Sequence, residues 1–197
     1  YYRYVDGKPR YDGARSFLKS RGISIPYGSP DDPPDKETVC GLGNRKNQYF
    51  LDYLKEHGAD SYPSTINFIR KLKDEDKRVA VISSSRNAKE VLEAAGVLTL
   101  FHVIVDGVDS AKQNLKGKPK PDIFLEAAKR LDVNPKRAIV IEDAISGVKA
   151  GKAGGFGLVI GIDRSGQNPE LKSSGADVVV SDLSEIRSEN DEHDTND

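Results

Sequence analysis

Glu142 and Asp143 stand side by side at the end of a short apolar run, Ala138-Ile139-Val140-Ile141. Adjacent carboxylates repel each other unless something positive holds them, and Mg²⁺, a hard cation, prefers oxygen ligands of this kind. The plainer reading is an Asp that caps the next helix beside a solvated Glu, and on this stretch alone the two readings stand level. Two other apolar runs end in polar groups. Ser83-Ser84-Ser85-Arg86-Asn87 follows Val79-Ala80-Val81-Ile82. Hydroxyls and free backbone N–H groups at the mouth of a helix make a phosphate cradle, although Ser and Asn also cap helices. In Gly117-Lys118-Pro119-Lys120-Pro121-Asp122 the prolines stiffen the backbone around Lys118. A lysine held in place can neutralise a phosphoryl group; a solvated basic loop is the alternative. Hydroxyl, cation and acid pair in this order are far rarer by chance than any one of them.

These groups need strands to carry them. The runs at 79–82, 103–105, 138–142, 158–160 and 178–180 are short, continuous and β-branched, the pattern of strands buried on both faces of a parallel sheet. Between them lie helical patterns: 64–72 with Ser64 as its expected cap, 87–96, 121–131 and 145–153. Alternating strand and helix argues for an α/β fold with a Rossmann-like parallel sheet. The first sixty residues differ. They carry a helix from Asp12 to Gly22, a proline-rich loop over 22–35, and a helix from about Asn44 to His57. The glycine-rich stretch 151–157 follows a helix rather than a strand and is not a dinucleotide fingerprint.

Composition sets outer limits. The 197 residues suit one domain with a smaller one attached, and the net charge of −1 gives no reason to expect a nucleic-acid partner. No apolar run reaches the roughly 18 residues of a membrane span, and no secretory leader is evident. A single cysteine, Cys40, excludes an internal disulfide framework and fits a reducing compartment, so a cytoplasmic, monomeric protein is expected. There is no methionine, even at position 1, so the sequence is expected not to begin where its gene begins.

Over about residues 5–186 the chain resembles the haloacid dehalogenase-like phosphotransferases, and within them the β-phosphoglucomutase-like branch. The likeness rests on Val81-Ile82-Ser83-Ser84-Ser85-Arg86-Asn87, on Gly117-Lys118-Pro119-Lys120-Pro121-Asp122-Ile123-Phe124, and on Ile141-Glu142-Asp143-Ala144-Ile145-Ser146-Gly147-Val148-Lys149-Ala150-Gly151. It implies an N-terminal helical cap over 1–60, a core over 61–186, and Mg²⁺-dependent transfer of a phosphoryl group on a phosphorylated sugar. The acid-rich residues 187–197 read as a disordered tail. By the resemblance, Ser83 hydrogen-bonds the transferring phosphoryl group, Lys118 stabilises its oxygens, and Glu142 and Asp143 hold Mg²⁺. Ser84 and the positions of Ser85, Arg86 and Asn87 contact the substrate, the last three gripping its second, non-reacting phosphate. Arg10 of the cap reaches the same phosphate, and Lys46 faces the substrate. Arg86 stands where lysine is frequent, and Gly13 where a substrate-contacting serine can occur.

One family feature is missing. The family opens on a strand ending in Asp-x-Asp, whose first Asp becomes an aspartyl phosphate and whose second is the general acid and base. Tyr4-Val5-Asp6-Gly7 has no apolar strand before it, and Val105-Asp106-Gly107-Val108-Asp109 has the wrong spacing. The nucleophile and the first strand are therefore expected upstream of residue 1. That strand would lie between those at 79–82 and 138–142, leaving both with bare edges. As it stands, the chain is expected to be inactive. The alternatives are a sugar-phosphate phosphatase, or a non-catalytic protein that binds phosphorylated ligands.

Overall fold

The computed structural model describes residues 4–5, 8–166 and 168–186. The expected tail at 187–197 lies outside the described residues, as do Asp6 and Gly7. The chain runs α1 (Arg10–Ser20), α2 (Val39–His57), α3 (Pro63–Asp74), β1 (Ala80–Ile82), α4 (Ala88–Ala94), β2 (Val103–Val105), α5 (Gly107–Gln113), α6 (Asp122–Arg130), β3 (Ile139–Glu142), α7 (Ile145–Ala153), β4 (Leu158–Ile162), α8 (Glu170–Ser173) and β5 (Val178–Val180).

The strands form two parallel sheets rather than one. β1 pairs with β2, and β3, β4 and β5 pair in that order. Among the described residues β1 and β3 are not bonded to each other, and each has one edge without a backbone partner. One apolar core nevertheless joins the sheets. Val105 of β2, Ile123 and Phe124 of α6, Val140 of β3, Val148 of α7 and Val159 of β4 are buried in a single cluster. Each large side chain buried in this way contributes on the order of 1.5–3 kcal/mol. The opposite face of the second sheet packs Ile160, Ile162 and Val180 against Leu183 and Phe68. Ile139, at the start of β3, stays 59% exposed.

Four elements depart from the sequence expectations, α8 among them because no helix is expected over 170–173. α2 begins at Val39, five residues before the expected Asn44, because Thr38 caps it: its hydroxyl accepts from Gly41 N at 2.9 Å. Two glycines among its first five residues, Gly41 and Gly43, lower helix propensity by about 1 kcal/mol each, but buried Val39 and Cys40 hold it down. Ser64 does not cap α3. Pro63 occupies the first turn, and Ser64 Oγ donates to Asp182 Oδ2 at 2.7 Å, tying the helix to the end of the described chain. α5 was not expected at all. Asp106 and Asp109 form a reciprocal capping box at its start, and Asp109 also takes a 2.9 Å ion pair from Arg130. Among the described residues, no helix is long and apolar enough to cross a membrane.

Candidate active site

Glu142 ends β3 with its carboxylate turned back over the start of α7. Its Oε2 accepts from Ala144 N at 3.3 Å, and its Oε1 accepts from Lys118 Nζ. The two side chains are only 10% and 9% exposed. Burial pushes the Glu142 carboxyl up, and the charge of Lys118 opposes that shift. The sequence suggests that Lys118 follows a strand; instead it comes from the loop between α5 and α6, and it lies 5.5 Å from the centre of the Phe124 ring. That loop is closed by Asp122, whose Oδ2 accepts from Lys116 N at 3.0 Å. An ammonium is thus held at the carboxyl end of β3, and the carboxyl ends of strands are where open α/β sheets bind ligands.

The loop after β1 is folded by its own hydroxyls. Ser83 Oγ accepts from Ser85 N, and Ser85 Oγ accepts from Asn87 N, both at 3.1 Å. Ser83 N bonds across to Val105 O at 3.0 Å, and Gly107 N donates to Ser85 O at 2.9 Å. The loop therefore rests on the first turn of α5. A Cβ on Gly107 would lie 2.7 Å from Ser84 O and 3.0 Å from Arg86 N. Ser85 and Arg86 are exposed, whereas Asn87 is buried.

A second polar group links α1 and α2 to this loop. Arg10 donates from Nη1 to Asn44 Oδ1 at 3.3 Å and from Nη2 to Asn47 Oδ1 at 2.8 Å. Asn87 Nδ2 donates to the same Asn47 Oδ1 at 2.5 Å. Asn44 is itself anchored, giving its amide to Pro30 O and Asp32 O. The structure thus brings Arg10 and Asn87 together through Asn47, and Lys118 onto Glu142. It does not bring Lys46 to either group: that side chain is exposed and has no hydrogen-bond or ion-pair partner among the described residues.

Asp143 is exposed, and its backbone carbonyl accepts from Asn168 Nδ2 at 3.1 Å. Among the described residues, no three His, Cys, Asp or Glu side chains gather to hold a metal ion. The donors fit Mg²⁺ in its usual habit of one or two carboxylates, with water and phosphate oxygens completing the shell. They do not fit a cation that needs a full protein cage. Asp106, the acid at the end of β2, is spent on structure: its Oδ1 accepts from Val108 N and Asp109 N at 2.8 and 3.0 Å.

Several contributors escape a reading by motif. Asn44 and Asn47 lie three apart on one face of α2, a spacing visible in the sequence. Gly107 and Gly147 serve by lacking side chains, and nothing local marks which glycine does so.

A family model of haloacid dehalogenase-like hydrolases matches residues 6–155. The chain is 49% identical over 189 residues to a β-phosphoglucomutase of Mycobacterium bovis, covering 94% of this chain and 72% of that protein. It is 34% identical over 182 residues to a Bacillus subtilis β-phosphoglucomutase, covering 92% and 74%. The crystal structure of a β-phosphoglucomutase from Clostridium difficile superposes with a TM-score of 0.78 at 25% identity, covering 96% of this chain and 78% of that one. With its α/β fold of parallel strands and helices, the chain belongs to the haloacid dehalogenase-like family, in its phosphoglucomutase-like branch.

Proposed function

We propose that this chain carries the phosphate-gripping and metal-side machinery of a Mg²⁺-dependent phosphoryl transfer on a phosphorylated sugar, of the β-phosphoglucomutase kind. The observation that carries the reading is the buried Lys118–Glu142 pair at the end of β3, with exposed Asp143 beside it. Lys118 presents positive charge to the phosphoryl oxygens, and Glu142 fixes where that charge sits. Ser83 offers its hydroxyl hydrogen, since its oxygen already accepts from Ser85 N. Glu142 and Asp143 would hold Mg²⁺, which when bound offsets further charge on the phosphoryl group. Arg10 and Asn87, with Ser84, Ser85 and Arg86 around them, grip the sugar's non-reacting phosphate. A grip on a second phosphate favours a mutase, which returns the phosphoryl group to the same sugar, over a phosphatase, which gives it to water.

The attacking aspartate is, in this proposal, absent from the chain. Two observations support that: Asp106 is committed to its capping box, and β1 and β3 each have an unpaired edge among the described residues. The same observations favour, as the second reading, a non-catalytic protein that binds phosphorylated ligands. In either case the protein is proposed to be cytoplasmic and monomeric.

The test is an assay with β-glucose 1-phosphate and a panel of sugar phosphates. It compares the chain alone with the chain extended by an apolar strand ending in Asp-x-Asp. The chain alone should bind without turnover. The extended chain should turn over only with Mg²⁺, and Asp143→Ala should abolish that activity. Turnover by the chain alone would remove the claim of an absent nucleophile, and a fully active Asp143→Ala variant would remove Asp143 from the metal site.

A further inference from the structure

Two donors from distant parts of the chain converge on one atom. Arg10 Nη2, from the first turn of α1, and Asn87 Nδ2, before α4, both give to Asn47 Oδ1, at 2.8 and 2.5 Å. Asn87 is only 9% exposed, so its amide must find an acceptor within the protein. A guanidinium and an amide aimed at one oxygen form an arrangement that also receives an oxyanion. Asn44 holds the other guanidinium nitrogen of Arg10 and is itself pinned to two carbonyls, so Arg10 stays aimed at this point.

We propose that Asn47 is an internal stand-in for a phosphate oxygen. Its carboxamide oxygen keeps Arg10 and Asn87 pointed at one spot. A phosphate oxygen of the sugar phosphate must displace it to bind there. Asn47 is thus a positioning residue that both organises the phosphate grip and competes for it. The Asn47–Asn87 bond also ties α2 to α4. When the phosphate takes over both donors, Arg10 from α1 and Asn87 before α4, it replaces that tie with its own bridge between the two. The inference rests on the reading of Arg10 and Asn87 as the grip on the non-reacting phosphate.

Calorimetric titration of the whole chain with glucose 6-phosphate, and separately with inorganic phosphate, tests it. Asn47→Ala removes the competing acceptor, so both probes should bind roughly three- to tenfold more tightly, the worth of a net hydrogen bond. Asn47→Asp places a carboxylate against Arg10 and should weaken binding about tenfold or more. Unchanged or weaker binding by Asn47→Ala overturns the proposal, as does wild-type affinity in Asn47→Asp. Should the alanine variant fail to fold, the aspartate variant decides. Arg10→Ala separates this inference from the reading beneath it. If Arg10→Ala binds like wild type, the phosphate grip itself is wrong. If it loses binding while Asn47→Ala gains none, only the stand-in role fails.

Discussion

Gly147 leaves the space that the Glu142 carboxylate fills. A Cβ built on Gly147 would lie 2.0 Å from Glu142 Cδ and 2.2 Å from its Oε2. The glycine five positions after the acid therefore decides where the acid, and with it Lys118, can sit. Gly147→Ala should expel the carboxylate from its buried place and break the pair with Lys118. Overpacking and the lost pair together should cost at least 1–3 kcal/mol, read as a lower midpoint in urea unfolding. A midpoint equal to wild type would show that Glu142 has another place to go.

The Lys118–Glu142 pair is buried, so removing one partner strands the other. Lys118→Ala should cost about 3–5 kcal/mol, less whatever Glu142 recovers by taking up a proton. Lys118→Met combined with Glu142→Gln should be more stable than Lys118→Ala, because no charge is left alone. A double variant no better than the single one would place the pair in water rather than in the core.

Asp32 sets an acid limit on the loop before α2. Its carboxylate accepts from Lys36 Nζ, Thr38 Oγ1 and Ser29 N. These bonds, Lys36 first, hold its pKa down to about 2. A depressed carboxyl contributes stability that is complete above its unfolded value of about 3.9 and is lost as pH falls toward the folded value. The Ser29 and Gly41 amide resonances should therefore hold steady down to about pH 3 and shift as pH falls through about 2. Asp32→Asn should flatten that step, and an unchanged step in the variant would assign it to another group.

Gly107 supports the loop after β1 from beneath. Gly107→Ala should push Ser84 and Arg86 away from α5, because the new methyl would meet Ser84 O at 2.7 Å. Affinity for inorganic phosphate should fall, with the overall circular dichroism spectrum retained. Unchanged affinity would separate this loop from phosphate binding.

The two sheets are not hydrogen-bonded to each other among the described residues, and they share a core only through side chains. Thermal unfolding of the 197-residue chain followed by circular dichroism should be broad and weakly cooperative. A single sharp transition would count against a missing central strand.

The strands were legible because a buried parallel strand needs only a short β-branched run, and the five such runs fall where β1 to β5 stand. α5 and α8 were not legible. Each is one or two turns long, too short for a periodic apolar face, and α5 is set by a capping box whose acids also suggested chemistry. The three motifs placed Ser83, Lys118, Glu142 and Asp143 at loop and strand ends from local pattern alone. Two things had to wait for the tertiary structure: that Lys118 is held by Glu142, 24 residues on, and that Arg10 and Asn87 meet at Asn47, 37 and 40 residues away from it in sequence. The sequence by itself determined the elements and the chemical groups at their ends, because propensity and periodicity act over a few neighbouring residues. Only the tertiary structure decided which groups share an atom, because that depends on how helices and sheets pack and on which glycines leave room.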